Sequence, residues 1–461
     1  MENLKYSNIV LVNLIIASII PLLIWGPFFP DLIVSISALF FLYYTKKNND
    51  FYYFNNKPFI IFLSFCIIST LISLQAENIY LSVKSSLFYF RIGLFSCFIW
   101  YLIDKDKSIL TYFYYALILS FSALVIGGYF EYFIGDLRLR NSSLFGDEQI
   151  MGSYLSRLFP LLFGLFLVKE KKKFEIYFIG FLFILVDVLI YISGERSAFF
   201  YLNLSTIFII ILIKEYQRFR LITFIIALIG IALISLNSPQ LSDRMFQDPF
   251  KNMGLLKSST TVKVSTQDSF KNMGLLKSST TVKVSTQDFV KNFSVHNLIQ
   301  TWLNDEEPTI YIFTPHHDSH IRTAYNMFKD KPIIGHGPKM FREICKNKKY
   351  AIGIMPCSTH PHNFYVQLLA ETGIVGFLFL FSAMSYVVYA SLRQFKSIIF
   401  RQKRFLTDYQ VCLLAGILIS IWPFSPNGNF FNNWLMIVYS LPVGFYLQSI
   451  YSKKVETING I

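Results

Sequence analysis

All seven histidines of this sequence lie in one polar stretch, and the last of them begins a pattern that suits acid–base chemistry. His362 and Asn363 are followed by nine residues, then Gly373, two further residues and Gly376. Pro361 does not fit inside a helix, so a helix is expected to begin near His362. The positive end of that helix would disfavour an imidazolium and favour an anionic ligand. We therefore predict that His362 is a catalytic general base and that Asn363 orients the backbone or the imidazole.

Three arginines are candidates for holding an anion near this base: Arg196 in SGERSAFF, Arg322 in HIRTAYNMF and Arg91 in LFYFRIGLF. The planar guanidinium fork matches pairs of diphosphate oxygens. An arginine at a membrane surface is often only a snorkelling anchor. Arg196, however, lies at the outer end of a predicted span, against the usual charge bias, and Arg91 lies within an apolar run. The sequence therefore predicts all three as diphosphate-binding residues.

Two pairs of glycines are expected to support the site. Gly335 and Gly337 lie in KPIIGHGPKMF, between Arg322 and His362. Gly373 and Gly376 follow the histidine and would let a second helix pack closely.

The remaining histidines and the cysteines give weaker patterns. His316, His317 and His320 form HHxxH, which lacks the glutamate of a HExxH zinc helix, and no second set of ligands accompanies it. We therefore expect no metal and no other cofactor, and we expect substitutions in this triplet to be nearly silent. Cys345 and Cys357 have no metal-binding spacing, but they could form a disulfide in an oxidising compartment.

The composition places these residues in a membrane protein. Hydrophobic residues make up 54% of the chain and charged residues only 15%, with a mean hydropathy of +0.47. Soluble domains carry roughly a quarter charged residues. The net charge of +14 is gathered in clusters between the apolar runs, so it indicates membrane topology rather than nucleic-acid binding.

The apolar runs predict an all-α polytopic membrane protein of about twelve transmembrane helices with one large periplasmic loop, since about 20 residues cross the hydrocarbon layer as a helix. The predicted spans are 8–25, 31–45, 57–74, 86–103, 109–128, 150–168, 174–192, 198–213, 220–236, 373–392, 407–423 and 433–450. Basic clusters fall at every second loop and are expected to face the cytoplasm together with both termini; they include Lys46, Lys47, Lys57, Lys169, Lys171, Lys172, Lys173, Lys214, Arg218, Arg220, Arg393, Arg404, Lys453 and Lys454.

Three regions follow from this pattern: nine spans in 1–236, the large periplasmic loop in 237–372, and three spans with a cytoplasmic tail in 373–461. The loop holds a perfect tandem repeat of 20-residue period at 249–288, FKNMGLLKSSTTVKVSTQD being found twice. Two copies are too few for a solenoid, so the repeat is expected to be a tolerated insertion.

These motifs resemble those of the O-antigen ligases of lipopolysaccharide assembly. The His-Asn pair, nine residues and Gly-x-x-Gly of residues 362–376 resemble the ligase motif. Arg322 followed by KPIIGHGPKMF is similar to the Arg, Pro-x-x-Gly-x-Gly and Phe of the wider ligase and polymerase superfamily. SGERSA is similar to the Ser-(Gly)-x-Arg segment that precedes a span in that family. The tandem repeat has no place in this pattern.

The resemblance implies a metal-independent, inverting glycosyltransferase in the bacterial inner membrane, with its active site in the periplasm. The donor would be a polysaccharide on undecaprenyl diphosphate and the acceptor a sugar hydroxyl of lipid A-core. His362 would take the proton of the acceptor, while Arg196 and Arg322 would hold the diphosphate. Membrane lipid is the expected surrounding, and nucleic acid is not an expected partner.

Other functions stay open at this point. An O-antigen polymerase and a protein O-oligosaccharyltransferase would use the same donor with a different acceptor. A lipid-linked oligosaccharide flippase or another transporter would be expected to carry charges in several spans and inverted repeats. The sequence shows Arg91, Asp187 and few other charges in its spans, which favours the enzyme.

Overall fold

The computed structural model describes residues 6–135, 143–145, 150–253, 311 and 313–452. These residues form α-helices and short helical turns that are connected by loops, and no strand is found among them. Nearly all of the tandem repeat lies outside these ranges. The α-helices of the described residues, numbered in chain order, are α1 Tyr6–Ala17, α2 Ile19–Trp25, α3 Phe28–Asn48, α4 Lys57–Ser73, α5 Ile79–Ser86, α6 Phe90–Lys105, α7 Ser108–Phe133, α8 Met151–Val168, α9 Lys173–Ile192, α10 Arg196–Leu212, α11 Gln217–Asn237, α12 Pro239–Ser242, α13 Asp248–Asn252, α14 Pro315–Asp330, α15 Phe341–Ile344, α16 Phe364–Ile399, α17 Asp408–Ser420 and α18 Asn433–Tyr451.

The chain is a polytopic helical membrane protein. In the described ranges, eight helices or helix pairs are long and apolar enough to cross a membrane, and four shorter apolar helices accompany them. Each of the twelve predicted spans coincides with one of these. Two of the boundaries that differ from the prediction bear on the site: α16 begins at Phe364 rather than at 373, and α17 ends at Ser420, so that residues 421–432 form a loop.

Side-chain contacts divide the loops between two ends of the bundle. At one end, the Tyr52 hydroxyl donates to the carbonyl of Tyr451, 2.7 Å away, and the Asp408 carboxylate accepts from the amide of Lys214 at 3.0 Å. These contacts bring together the loops that carry the basic clusters. We call this end the basic end, and the opposite end, where α10 and α16 begin, the histidine end.

Arg220 is not one of the surface anchors that the sequence predicted. It is fully buried between α9 and α11, and its two terminal nitrogens donate to the two oxygens of Asp187 at 2.9 and 3.0 Å. A further bond of 2.7 Å reaches Thr206 on α10. The bidentate pair neutralises both intramembrane charges, so Asp187 and Arg220 tie three helices together.

A small cap covers the histidine end of the bundle. It is built from α14, α15 and the first turns of α16, and it has its own apolar core, with Met327, Phe341 and Ala370 fully buried. A disulfide joins Cys345 and Cys357 within this core, which decides the pairing that the sequence left open. The cap therefore holds the segment before His362 against α15.

Candidate functional site

The helix predicted to start near His362 does so, and its neighbour caps it. Asn363 is the N-cap of α16, and its side-chain oxygen accepts from the amides of Tyr365 and Val366 at 3.0 and 3.2 Å. Its amide nitrogen donates to the carbonyl of Pro423 at 2.7 Å. Asn363 thus orients the backbone, and this places His362 just before the positive end of the helix.

His362 has an unusual backbone conformation, with φ of +59°. Histidine tolerates this left-handed region better than most residues, but it still costs about 1–3 kcal/mol. The surrounding structure holds it there, because the carbonyl of His362 accepts from the amide of Asn427 at 2.8 Å. The conformation turns the ring back toward other imidazoles.

Four imidazoles meet at this point, and we call them the histidine cluster: His317, His320, His360 and His362. Ring centroids lie 5.0 Å apart for His317 and His362, 5.4 Å for His320 and His362, and 4.1 Å for His360 and His362. Among the described residues, no group of three or more His, Cys, Asp or Glu side chains is arranged to hold a metal ion. The rings pack against one another instead.

Two members of the HHxxH triplet therefore lie against His362, a contact that the sequence did not predict. Thr314 caps α14 by accepting from the amide of His317 at 3.2 Å, and Pro315 occupies the first helical position. In the helix that follows, His317 and His320 share one face because they are three residues apart. His316 is exposed.

The cluster is electrically neutral at physiological pH. Burial and the neighbouring His360, His317 and His320 lower the pKa of His362 to about 2. Burial is also the main cause that lowers the pKa of His317 to about 4 and of His360 to about 4. Burial also lowers the pKa of His320. The unprotonated rings provide acceptors for a proton, but each resists a charge until an anion is near.

Arg196 lies beside this cluster. Its charge contributes to the lowered pKa of His317, and it is the first residue of α10. The preceding turn is fixed on both sides: Gly194 has a φ of +68°, and the Glu195 carboxylate accepts from the amide of Gly152 at 2.9 Å. An anion bound at this helix start would be attracted by the guanidinium and by the helix dipole.

The other two predicted arginines lie in different places. Arg322 is buried on α14, the helix that carries His317 and His320, with a nitrogen 3.8 Å from the Asp318 carboxylate. Arg91 is the second residue of α6 and forms an ion pair with Asp31. Within the described part of the chain, this ion pair joins Arg91 to α3 rather than to the histidine cluster.

The four glycines shape the support beneath the site. Gly373 breaks α16 with a φ of +64°, and a Cβ there would lie 2.2 Å from the carbonyl oxygen of Ile333. Gly335 has a φ of +66°, and its Cβ would lie 2.5 Å from the backbone of Glu371. The neighbour of Gly373 is thus a loop rather than another helix, whereas a Cβ at Gly376 would come within 3.5 Å of Phe65 on α4.

Backbone hydrogen bonds join the same loop to the break in α16. The amides of His336 and Gly337 donate to the carbonyls of Ala370 and Glu371 at 3.1 and 2.7 Å. These carbonyls would otherwise be left without partners where the helix is interrupted. The glycine loop therefore closes the short first section of α16 and holds it under the histidine cluster.

The loop of residues 421–432 was not predicted to belong to the site, although it holds the other side of this section. Gln367 on α16 donates to the Asn429 side chain at 3.0 Å and accepts from the amide of Phe430 at 2.9 Å. The Tyr365 hydroxyl donates to the carbonyl of Ile421 at 2.8 Å. The asparagines and prolines of this loop, in WPFSPNGNFFNN, were the signal that could have indicated it in the sequence.

Two more arginines near the site were also missed. Arg342 on α15 is close enough to His360 to contribute to its lowered pKa. Arg244 packs on the turn before Arg196, and a Cβ on Gly194 would lie 2.8 Å from its Nε. Neither arginine stands in a motif of recognisable spacing, so only the fold brings them in.

The cap, its glycine loop and the start of α16 form one continuous stretch of sequence. Residues 318–381 match the family model described as O-antigen ligase. The match confirms the O-antigen ligase resemblance over the segment that holds Arg322, the four glycines, His362 and Asn363. Arg196 and Arg91 lie outside it. A search of curated proteins found no match to the chain.

Proposed function

We propose that the chain is a membrane glycosyltransferase of the O-antigen ligase type. The donor is a polysaccharide on undecaprenyl diphosphate, and the acceptor is a sugar hydroxyl of lipid A-core. The reaction takes place at the histidine end, in the periplasm, and the protein lies in the bacterial inner membrane. The match over residues 318–381 supports the reaction class.

One geometric observation carries the proposal: three helix starts meet at the histidine cluster. Arg196 is the first residue of α10, His317 lies in the first turn of α14, and His362 precedes α16. Helix starts attract anions through their free amides and dipoles. Together with Arg196 and Arg322, they suit a diphosphate better than any neutral group.

The chemistry is a direct displacement at the anomeric carbon. The acceptor oxygen forms the new bond to that carbon, and its proton passes to a ring nitrogen of His362. The bond between the carbon and the diphosphate oxygen breaks, and its electron pair leaves with the diphosphate. Because attack and departure occur on opposite faces, the anomeric configuration inverts. Arg196 and Arg322 stabilise the charge that grows on the leaving group, and so take the role that a metal cation has in other enzymes.

The low pKa of His362 couples base strength to donor binding. With the site empty, the imidazole is a weak base, because its pKa lies near 2. A diphosphate beside the cluster favours the imidazolium and so raises the pKa toward the working pH, where general-base catalysis is most effective. The base becomes effective when the donor is in place.

Lipopolysaccharide from a strain lacking the gene tests the proposal. Loss of a ligase leaves bare core, with full-length polymer still on the lipid carrier. Core bearing a single repeat unit would identify a polymerase instead, and loss of glycans from proteins an O-oligosaccharyltransferase. Complementation with wild type should restore the polymer on core, and complementation with His362→Ala should not.

A further inference from the structure

One buried arginine has no place in the reaction described above. Arg157 lies in the middle of α8 and is 2% exposed. Its guanidinium carbon is 4.3 Å from the ring centre of Tyr201 and 4.0 Å from that of Tyr439, so the cation lies between two aromatic faces. It also donates to the carbonyl of Ile419, 2.8 Å away in the last turn of α17.

Tyr201 connects this arginine to the histidine end. It lies on α10, the helix that begins with Arg196, and its hydroxyl donates to the side-chain oxygen of Asn427 at 2.7 Å. Asn427 is 4% exposed and belongs to the 421–432 loop. The tyrosine ring is thus held by the guanidinium while its hydroxyl holds the loop.

Asn427 in turn holds two members of the histidine cluster through its backbone. Its amide donates to the carbonyl of His362 at 2.8 Å, and its carbonyl lies 3.2 Å from Nε2 of His360. Because a carbonyl only accepts, Nε2 of His360 must carry the hydrogen. Nδ1 is then an acceptor for the Thr359 hydroxyl at 2.9 Å. One tautomer of His360 is fixed, and its ring packs against that of His362.

We propose that Arg157, Tyr201 and Asn427 form a positioning chain that holds His362 and His360 in their reactive arrangement. It rests on the proposed function, since it sets the geometry of the proposed base. The chain runs from the core of the bundle to the reacting end and shares α10 with Arg196. The left-handed backbone of His362 is strained, and the hydrogen bond from the amide of Asn427 to the carbonyl of His362 supports it.

Two tyrosines on the same guanidinium offer a matched pair of variants. Tyr201→Phe keeps the ring on Arg157 and removes only the hydroxyl that reaches Asn427. Tyr439→Phe also keeps its ring, and the hydroxyl it removes interacts with Ser153 on α8 rather than with the loop. We expect Tyr201→Phe to lower kcat by about 10- to 100-fold with little change in the donor KM, since misplacement of a reacting group by about 1 Å has such effects. Tyr439→Phe should stay within about twofold of wild type in kcat.

A second readout does not depend on activity. Diethyl pyrocarbonate acylates unprotonated imidazoles, and peptide mass spectrometry of the purified full chain gives the rate at each histidine. Tyr201→Phe should raise the rates at His360 and His362, and Tyr439→Phe should not. Asn427→Ala should raise the same two rates. The double variant with Tyr201→Phe should show the same acylation rates as either single variant, because the two residues act through one hydrogen bond.

The outcomes separate this proposal from the proposed function. Raised acylation together with lower kcat supports both. Raised acylation with unchanged transfer supports the positioning chain and contradicts His362 as the base. Unchanged acylation in Tyr201→Phe and Asn427→Ala overturns the positioning chain, whatever the activity. If Tyr201→Phe does not accumulate, Asn427→Ala decides by the same measurement.

Discussion

At the scale of single residues, substitutions of His362 and of the two arginines are expected to affect turnover and donor binding differently. His362→Ala should lower kcat by about 10²–10⁴ while the donor still binds, because a base acts on the acceptor. Arg196→Ala and Arg322→Ala should lower turnover by roughly 10²–10³ and also weaken donor binding. Arg→Lys should restore little, since an ammonium does not present a planar fork.

Transfer in detergent with separate titrations of donor and acceptor measures these effects. His316→Ala is the matched control, because this histidine is exposed, whereas His317 and His320 contact the ring of His362. Normal donor affinity in both arginine variants would contradict their role on the diphosphate.

The pH dependence of the free enzyme provides a second residue-scale prediction. In wild type, the pKa of His362 is lowered to about 2, so this ring stays unprotonated throughout the physiological range. His320→Ala removes one neighbouring imidazole and admits water, and both changes raise the pKa of His362 toward its ordinary value. A raised pKa protonates the base at higher pH, so the acid limb of kcat/KM should move upward in pH. An acid limb that coincides with that of wild type would show that His320 does not act on His362.

The residues of the site were only partly predictable. The position of His362 at a helix start followed from Pro361, whereas the sequence left open whether Asn363 orients the backbone or the imidazole, and the structure shows it capping the helix. His317 and His320 were set aside because HHxxH was compared with a metal motif, whereas they contact His362 across a large separation in sequence. Arg342 and Arg244 stand in no motif, so only tertiary packing places them near the site.

At the scale of elements, Gly373 is expected to be intolerant of any side chain. Gly373→Ala places a Cβ 2.2 Å from the Ile333 oxygen and forces alanine into a left-handed backbone, which alone costs about 1–3 kcal/mol. Gly230→Ala in α11 is the control, because its Cβ meets Val188 at an ordinary 3.5 Å and alanine favours helix by about 1 kcal/mol.

Thermal unfolding of the two purified variants in detergent measures the difference. Gly373→Ala should unfold at a lower temperature and lose transfer activity, and Gly230→Ala should equal or exceed wild type in stability. An equally stable and active Gly373→Ala would show that the glycine loop does not set the geometry of α16.

The elements themselves were largely predictable, because lipid imposes a simple pattern. Each of the twelve apolar runs coincides with an apolar helix, and eight of these are long enough to cross a membrane, since unbroken apolar sequence of sufficient length leaves few alternatives to a helix. The break at Gly373 was missed, and so was the role of the 421–432 loop in holding α16. Both depend on hydrogen bonds between distant segments, as between Gln367 and Asn429, and hydropathy carries no information about them.

At the scale of the whole molecule, the proposed mechanism requires that the two ends of the bundle face different compartments. The basic clusters gather at one end, joined by the contact of Lys214 with Asp408, and the histidine cluster lies at the other. Basic loops favour the cytoplasmic side. A lipid-linked donor displayed in the periplasm would then meet the site directly, and the Cys345–Cys357 disulfide would lie in an oxidising compartment.

Cysteine labelling of spheroplasts tests this orientation, and the chain is well suited to it. Cys66, Cys97 and Cys412 are buried and the other two cysteines are paired, so the wild-type background should be low. Ile354 in the cap is 62% exposed and Gln402 is exposed at the basic end. A membrane-impermeant maleimide should label Ile354→Cys in intact spheroplasts and Gln402→Cys only after permeabilisation. The reverse pattern would place the histidine cluster in the cytoplasm, away from a periplasmic donor, and would refute the proposed site of transfer.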